Sequence, residues 1–233
     1  EGVFHVGYRV HASVDVVARS ATANNHSATH LLHSALREII GTHVEQKGSL
    51  VEPNRLRFDF SHGEAVDPIL LDDVERRVNE EIRSNREVVT RRMKIDEART
   101  AGAAALFGEK YDDVVRVVGM GDYSLELCGG THVKRTGDIG AFRVVSESGI
   151  AAGVRRIEAL TGEGARHHAA EESTVLSRVA AIYRTSVGEI ESKAKQMQTR
   201  TREFERKIDE LQVQLAAGSG VADSPEAENV GGV

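Results

Sequence analysis

The 233-residue sequence contains no tryptophan, one cysteine and only 4% aromatic residues. Aliphatic side chains must therefore build the core, for which the 40% of hydrophobic residues is sufficient. The single cysteine, Cys128, excludes an internal disulfide and is typical of a reducing compartment. The sequence has no leader of the secretory type and no apolar run of about 18 residues or more. We therefore predict a soluble, cytoplasmic protein without a membrane partner, and the first residue, Glu1, indicates a fragment or a processed chain.

The formal net charge is −6, whereas nucleic-acid-binding proteins are more often basic overall. Basic residues are nevertheless concentrated at two places in the sequence. One group is Arg83, Arg86, Arg91, Arg92 and Lys94, and the other is Lys134, Arg135, Arg155 and Arg156. Taken alone, such groups favour solvated surfaces.

The pattern of apolar and polar residues predicts an α+β fold over residues 21–162. Alternation over residues 1–20 predicts one or two strands that end a truncated upstream domain. Residues 24–41 are predicted to form a helix that begins at Asn24 or Asn25 and ends at Gly41. The further predicted elements are strands at 42–51 and 55–60, a helix at 67–84, a strand at 86–95, a helix from 95 to 107 that ends at Gly108, strands at 114–120 and 123–128 joined by a turn at Gly121-Asp122, and a strand pair at 139–148 and 153–162.

The pattern changes after Gly164. Apolar residues four and three apart run from Leu176 to Leu215, which is a heptad repeat over about five heptads. We therefore predict a long α-helix or coiled coil over residues 165–217. Its apolar face needs a partner, either in a homodimer or within a longer chain. Residues 218–233 are small and acidic and are predicted to form a flexible linker or tail.

Two pairs of residues predict a metal site. His26 and His30 are four apart on the first predicted helix, so both imidazoles lie on one face. Cys128 and His132 are also four apart, about a hundred positions later. Three imidazoles and one thiolate form a tetrahedral donor set that suits one Zn²⁺ ion. Gly129 and Gly130 are expected to let the intervening loop turn sharply.

Other uses of these residues are open. His33 is three residues after His30, so a site formed by His30 and His33 is geometrically possible. A catalytic dyad in which Cys128 attacks an acyl group is a second alternative, but it leaves the histidine pair without a role. A metalloprotease is excluded, because Ser27 occupies the position at which the H-E-x-x-H motif requires glutamate.

Four segments show a resemblance to a known family. They are NHSATHLLHSALREIIGTHVEQKGSLVEPNRLRFDFSH, GAAALFGEKY, MGDYSLELCGGTHV and SESGIAAGVRRIEALTG. Together they resemble the editing domain of bacterial-type alanyl-tRNA synthetases over about residues 5–162. The resemblance implies an antiparallel-sheet and helix fold of the threonyl/alanyl-tRNA synthetase second-additional-domain type, with zinc, over residues 21–162. It also implies that residues 1–20 are the remnant of an upstream β-barrel and that the heptad helix is the segment that follows editing.

The resemblance also implies an activity. Such a domain hydrolyses the ester of tRNA(Ala) that carries serine or glycine by mistake, whereas ligation of alanine uses ATP and Mg²⁺ in a domain outside this sequence. The family's zinc ligands fall on His26, His30, Cys128 and His132. Gln46 and Thr29 match pocket positions and are expected to be catalytic. Arg155, Arg156, Gly129 and Gly130 are expected to contact the substrate or the acceptor end of tRNA(Ala).

Two mechanisms are compatible with this site. In one, zinc is a template that holds the amino or hydroxyl group of the ester, and a water held by Gln46 or near the ribose attacks. In the other, zinc polarises that water directly. Asp59 and Glu126 are candidate bases, although each is interpreted as a strand carboxylate that faces solvent. The alternative functions are a freestanding trans-editing deacylase and a non-catalytic, zinc-stabilised module for tRNA binding or dimerisation.

Overall fold

The computed structural model describes residue 3, residues 5–104 and residues 111–218, and it divides into the compact units Glu1–Ala169 and Ala170–Val233. The first unit has the predicted α+β fold. The helices are α1 (Val16–Ile39), α2 (Pro68–Arg83), α3 (Ile95–Thr100), α4 (Gly162–Tyr183) and α5 (Ile190–Gly218). The strands are β1 (Gln46–Val51), β2 (Leu56–Ser61), β3 (Val88–Lys94), β4 (Val114–Met120), β5 (Ser124–Leu127), β6 (Phe142–Ala151) and β7 (Val154–Thr161).

The strands of the first unit form two antiparallel sheets. One has the order β1-β2-β7-β6 and the other the order β3-β4-β5. Alternate residues of β2, Leu56, Phe58 and Phe60, are fully buried in one core cluster with Leu31 and Leu32 of α1. Each such side chain contributes about 1.5–3 kcal/mol on burial. This packing fixes the face of α1 that is turned to the first sheet.

Helix α1 begins eight residues before the predicted start. The Asp15 carboxylate accepts hydrogen bonds from the backbone N–H groups of Val17 (2.9 Å) and Ala18 (3.0 Å), which is a strong N-cap. The predicted strand is therefore wrong for residues 16–20, and residues 3 and 5–15 form no strand either. The cap outweighs the strand propensity of the neighbouring valines, whose side chains are exposed. The end of α1 is as predicted: Gly41 follows it with φ +142°.

Asn25 is buried inside α1 rather than at its start. Its Nδ2 donates to the carbonyls of Glu52 (2.7 Å) and Pro53 (3.3 Å), and its Oδ1 accepts from Thr161 Oγ1 (2.6 Å). One side chain thus joins α1 to the β1–β2 turn and to the end of β7. This junction holds the helix against the sheet directly beside His26.

Most of the other predicted elements are confirmed. Asp67 caps α2, which ends at Arg83, and Gly121 has φ +58° in the β4–β5 turn. Helix α3 is shorter than predicted because Gly102 (φ +82°) ends it, with a hydrogen bond from Ala103 N–H to Ala98 O (3.0 Å). The predicted end at Gly108 lies outside the described residues.

The predicted helix over residues 165–217 is interrupted. A long C-terminal helix is present, but Arg184 takes φ +50° after α4, and Thr185 N–H donates to Ala180 O (3.0 Å). A short 3₁₀ turn precedes α5, and Ser186 Oγ donates to the Glu189 carboxylate (2.9 Å). The heptad spacing of apolar residues continues across this break, so the spacing alone predicts one uninterrupted helix. The S-x-x-E sequence of residues 186–189 is the signal that a new helix begins.

Helix α5 buries none of its residues. The apolar stripe predicted to need a partner is exposed there, with Phe204 and Ile208 each 54% exposed. Most of the predicted tail, residues 219–233, lies outside the described residues. None of the described helices is long and apolar enough to cross a membrane.

We predict that Asn25→Ala lowers the free energy of unfolding of the first unit by about 2 kcal/mol, because one buried hydroxyl and two partly buried carbonyl bonds lose their partner. Urea unfolding followed by circular dichroism measures the change. The matched control is Asn24→Ala, since the Asn24 side chain forms no hydrogen bond with another described residue. Equal stability of the Asn25 and Asn24 variants would contradict the role of the junction.

Candidate metal centre

Helix α1 and the loop after β5 bring the predicted ligands together. The ligand atoms of His26, His30, Cys128 and His132 all lie within 4.8 Å of one another. Cys128 Sγ is 3.3 Å from His26 Nε2 and 3.2 Å from His132 Nε2. Contact with imidazoles from both pairs favours a ligand cluster over a simple dyad of Cys128 with His132. In the described part of the chain, this is the one cluster of three or more such groups.

The cluster fits a tetrahedral metal ion. Donor atoms around tetrahedral zinc are about 3.3–3.6 Å apart, given bond lengths of about 2.0–2.3 Å. His30 Nε2 is buried and has no hydrogen-bond partner among the described residues. Such an orphaned atom costs free energy unless a ligand satisfies it. One thiolate and three imidazoles are a donor set that zinc prefers.

Glu126 orients the ligand His30. One carboxylate oxygen contacts His30 Nδ1, and the other is 2.9 Å from His33 Nδ1. A proton on Nδ1 of His30 leaves Nε2 free to bind a metal ion. Glu126 is only 6% exposed, so its interpretation as a solvent-facing carboxylate is wrong. His33 is not a member of the cluster; it is bound to Glu126 instead.

A signal for Glu126 was present in the sequence. It lies two residues before Cys128, and residues two apart on a strand point to the same side. A carboxylate at that position therefore faces the ligands. Charge alone does not reveal this, because most carboxylates on strands are solvated.

Arg116 holds the loop that carries Cys128. Its Nη1 donates to the carbonyls of Cys128 (2.8 Å) and Gly130 (2.6 Å). On the other side, Ser27 Oγ is 3.2 Å from His132 Nδ1 and accepts from Val133 N–H (3.1 Å). The contacts of Arg116 and Ser27 fix the geometry of the ligand loop from outside the cluster.

Gly130 is required for space. A Cβ atom there would lie 1.9 Å from Cε1 of His26, whereas a Cβ atom at Gly129 would meet nothing within 4 Å. Neither glycine has a positive φ. The loop bends at Gly130 without a positive φ, and the absence of a side chain there lets the backbone approach the His26 ring.

Neighbouring side chains favour the ionised forms of Cys128, His30 and Glu126 before any metal binds. Although burial opposes it, hydrogen bonds from His132 and His26 lower the pKa of Cys128 to about 3. Burial also opposes ionisation of the pair formed by His30 and Glu126. Their mutual attraction nevertheless raises the pKa of His30 to about 10 and lowers the pKa of Glu126 to about 2. A metal ion held here would be bound by a thiolate that is already formed, and His30 would have to give up a proton to act as its ligand.

A cavity of about 440 Å³ opens beside the cluster. Its lining residues are His26, Thr29, His30, Gln46, Ser49, Tyr111, Asp112, Val114, Val115, Arg116, Glu126, Leu127, Cys128, Gly129 and Gly130. Four residues expected to be catalytic or to contact substrate, Thr29, Gln46, Gly129 and Gly130, are thus in this wall. Gln46 Nε2 donates to Ser49 Oγ (3.1 Å), and Thr29 Oγ1 donates to Asn25 O (2.9 Å). Ser49, Tyr111, Asp112 and Arg116 also line the cavity but were not predicted as site residues. Ser49 and Tyr111 lie within two of the quoted segments, whereas Asp112 and Arg116 lie in none of them.

Arg155 and Arg156 are not in the cavity wall. Arg155 pairs with Glu147 through two bonds of 2.5 and 2.6 Å, and Arg156 pairs with Asp59 through two bonds of 2.7 and 2.8 Å. Asp59 is 6% exposed and does not line the cavity either. The interpretation of Asp59 as a solvent-facing carboxylate is therefore wrong, and its oxygens are occupied by a guanidinium.

The fold and site correspond to a known class of domain. Residues 115–158 match the family described as "Threonyl and Alanyl tRNA synthetase second additional domain". This segment includes β4, β5 and the Cys128 loop. This part of the chain is therefore similar to the second additional domain of threonyl and alanyl tRNA synthetases.

Over nearly its whole length the chain is similar to a segment of alanine--tRNA ligases. It is 52% identical over 224 residues to that of Idiomarina loihiensis, covering 96% of this chain and 26% of the relative. It is 53% identical over 232 residues to that of Halorhodospira halophila, covering 100% of this chain and 27% of the relative. The chain thus spans about a quarter of the length of these relatives.

We predict that Gly130→Ala lowers zinc affinity by at least about tenfold, because the new methyl group displaces the His26 ring. Competition with a chromophoric zinc chelator measures the affinity. Gly129→Ala is the matched control and is expected to bind zinc like the unmodified chain. The same affinity in both variants would show that Gly130 does not support His26.

We predict that Glu126→Gln lowers zinc affinity by about 10- to 100-fold. The amide keeps one acceptor oxygen, so it cannot accept from both His30 and His33. The same chelator competition measures the loss. Glu158→Gln, which changes a partner of Arg55 outside the cavity wall, serves as the control. Unchanged affinity in Glu126→Gln would mean that His30 is oriented by other contacts.

Proposed function

We propose that this chain is the editing part of an alanine--tRNA ligase and uses one zinc ion to hydrolyse the ester of tRNA(Ala) charged with serine or glycine. The supporting observation is the cavity beside the four-residue cluster. Three of the four cluster residues line it, together with an amide, three hydroxyls and a guanidinium. The similarity to alanine--tRNA ligases over 96% or more of the chain supports a charged tRNA(Ala) as the substrate.

Hydrolysis of mischarged tRNA is needed because a binding pocket alone discriminates poorly between alanine and amino acids of similar size. Glycine lacks one methyl group of alanine, and a pocket rejects a smaller substrate by only about 1–3 kcal/mol. Serine adds one hydroxyl group, which a small apolar pocket also rejects poorly. A second site that removes the wrong product restores accuracy, provided that it spares the alanine ester.

Thr29 and Gln46 are suited to recognise the polar part of the substrate. The Thr29 hydroxyl donates its proton to Asn25 O, so its lone pairs remain to accept a hydrogen bond in the cavity. The Gln46 amide donates to Ser49, which leaves its carbonyl oxygen as an acceptor. A serine hydroxyl satisfies these acceptors, whereas the methyl group of alanine does not. The ammonium group is common to the three esters and does not distinguish them.

The reaction is the addition of water to the ester. The water oxygen bonds to the carbonyl carbon, the bond from that carbon to the ribose oxygen breaks, and the ribose oxygen takes a proton. The products are the free amino acid and uncharged tRNA. When bound, zinc supplies a positive charge that attracts an oxygen or amino group of the reactants.

The residues of the chain position these reactants. Glu126 uses both oxygens on His30 and His33, and Asp59 uses both on Arg156, so neither is free to act as the base. In our proposal the Gln46 carbonyl orients the attacking water. Glu126 and Arg116 act through the ligands that they hold.

The test is hydrolysis of serine-, glycine- and alanine-charged tRNA(Ala) by this chain, with metal content measured on the same sample. We expect release of serine and glycine in preference to alanine. Gln46→Ala is expected to lower kcat/KM by about 10- to 100-fold, because an aligned polar contact to the reacting group is lost. Metal content and melting temperature are expected to stay unchanged.

Three outcomes would contradict the proposal. Stable serine and glycine esters in the presence of the zinc-loaded chain would indicate a non-catalytic module. Full activity of Gln46→Ala would remove the role of the amide. Hydrolysis of alanine at the same rate as serine would contradict the specificity.

A further inference from the structure

Strand β3 carries positive charge beside the cavity. In the antiparallel register with β4, Arg92 lies opposite Arg116 and Lys94 lies opposite Val114. Arg116 and Val114 both line the cavity. Because directly opposite residues share a face of the sheet, Arg92 and Lys94 extend the cavity wall towards the edge. Thr90 lies on the same face, since its Oγ1 accepts from Arg116 Nη2 (3.4 Å).

This charge is not neutralised within the described residues. Arg92 and Lys94 are exposed, and neither side chain forms an ion pair with another residue that the structure describes. Two arginines opposite each other across a strand pair repel. Arg155 and Arg156, by contrast, are each neutralised by a carboxylate. Among the described residues beside the cavity, the cations without an ion pair are thus on β3 and, with Arg116, on β4, but not on β7.

We propose that Arg92 and Lys94 bind the phosphates of the single-stranded 3′ end of tRNA as it enters the cavity. Single strands bind to positively charged grooves that follow the backbone, and each neutralised phosphate releases counterions. Arg116, opposite Arg92, continues the positive charge to the edge of the metal centre. This inference rests on the proposed function, because it assigns the approach of the same substrate.

A simpler explanation exists for these cations. Strand β3 is at the edge of its sheet, and charged residues on edge strands prevent pairing between molecules. Arg91 would serve that purpose equally well. It lies on the other face of β3, beside Val89 and Met93, where it lines a different cavity. The proposal therefore requires that Arg92 and Lys94 differ from Arg91 in RNA binding.

The experiment compares the 233-residue chain with Arg92→Ala/Lys94→Ala and with the control Arg91→Ala. Binding of uncharged tRNA(Ala) is measured by fluorescence anisotropy between 50 and 200 mM salt. We expect the double variant to bind about tenfold more weakly at 0.1 M salt. The slope of log K against log salt is expected to become less steep by about 1.4, which is the loss of two phosphate contacts. Arg91→Ala and Arg92→Lys are expected to match the unmodified chain.

The outcomes separate this proposal from the proposed activity. Equal weakening by Arg91→Ala, or no weakening by the double variant, would overturn the assignment of Arg92 and Lys94 even if the chain hydrolyses serine esters. The expected loss of binding and slope would support the assignment even if the unmodified chain hydrolyses no ester. Absence of tRNA binding by the unmodified chain would also overturn it.

Discussion

The buried carboxylate of Glu126 is the interaction on which the metal centre depends. It lies on the short strand β5 and bonds to two histidines one turn apart on α1, so it joins the second sheet to the helix. That bond sets the direction of His30 and brings Cys128, two residues further along, to the same place. Two ligand pairs about a hundred residues apart thus meet where one buried negative charge bonds to two histidines of α1.

The donor set was predictable because its geometry is local. Residues four apart on a helix share a face, and a cysteine four residues before a histidine in a loop turns both towards one point. The sheets were predictable for the same kind of reason, since alternation along β2 and the turn at Gly121 are properties of neighbouring residues. Helix α2 was predictable from the cap at Asp67 and its apolar spacing.

Other features were not predictable, because they depend on contacts between distant residues. Arg155 and Arg156 appear as free cations in the sequence, and only the register of β7 with β6 and β2 brings Glu147 and Asp59 to them. The role of Asn25 depends on the end of β7, far along the chain. Two errors had local signals that were overlooked: the cap at Asp15, and the S-x-x-E sequence that begins at Ser186.

One stretch of α1 serves the fold, the metal centre and the cavity at once. Its six consecutive residues are Asn25, His26, Ser27, Ala28, Thr29 and His30. Asn25 joins the sheet, His26 and His30 are ligands, Ser27 supports His132, Ala28 is fully buried in the core, and Thr29 faces the cavity. A helix normally has a solvent side on which sequence can drift. This stretch has none, so random replacement there leaves no silent position.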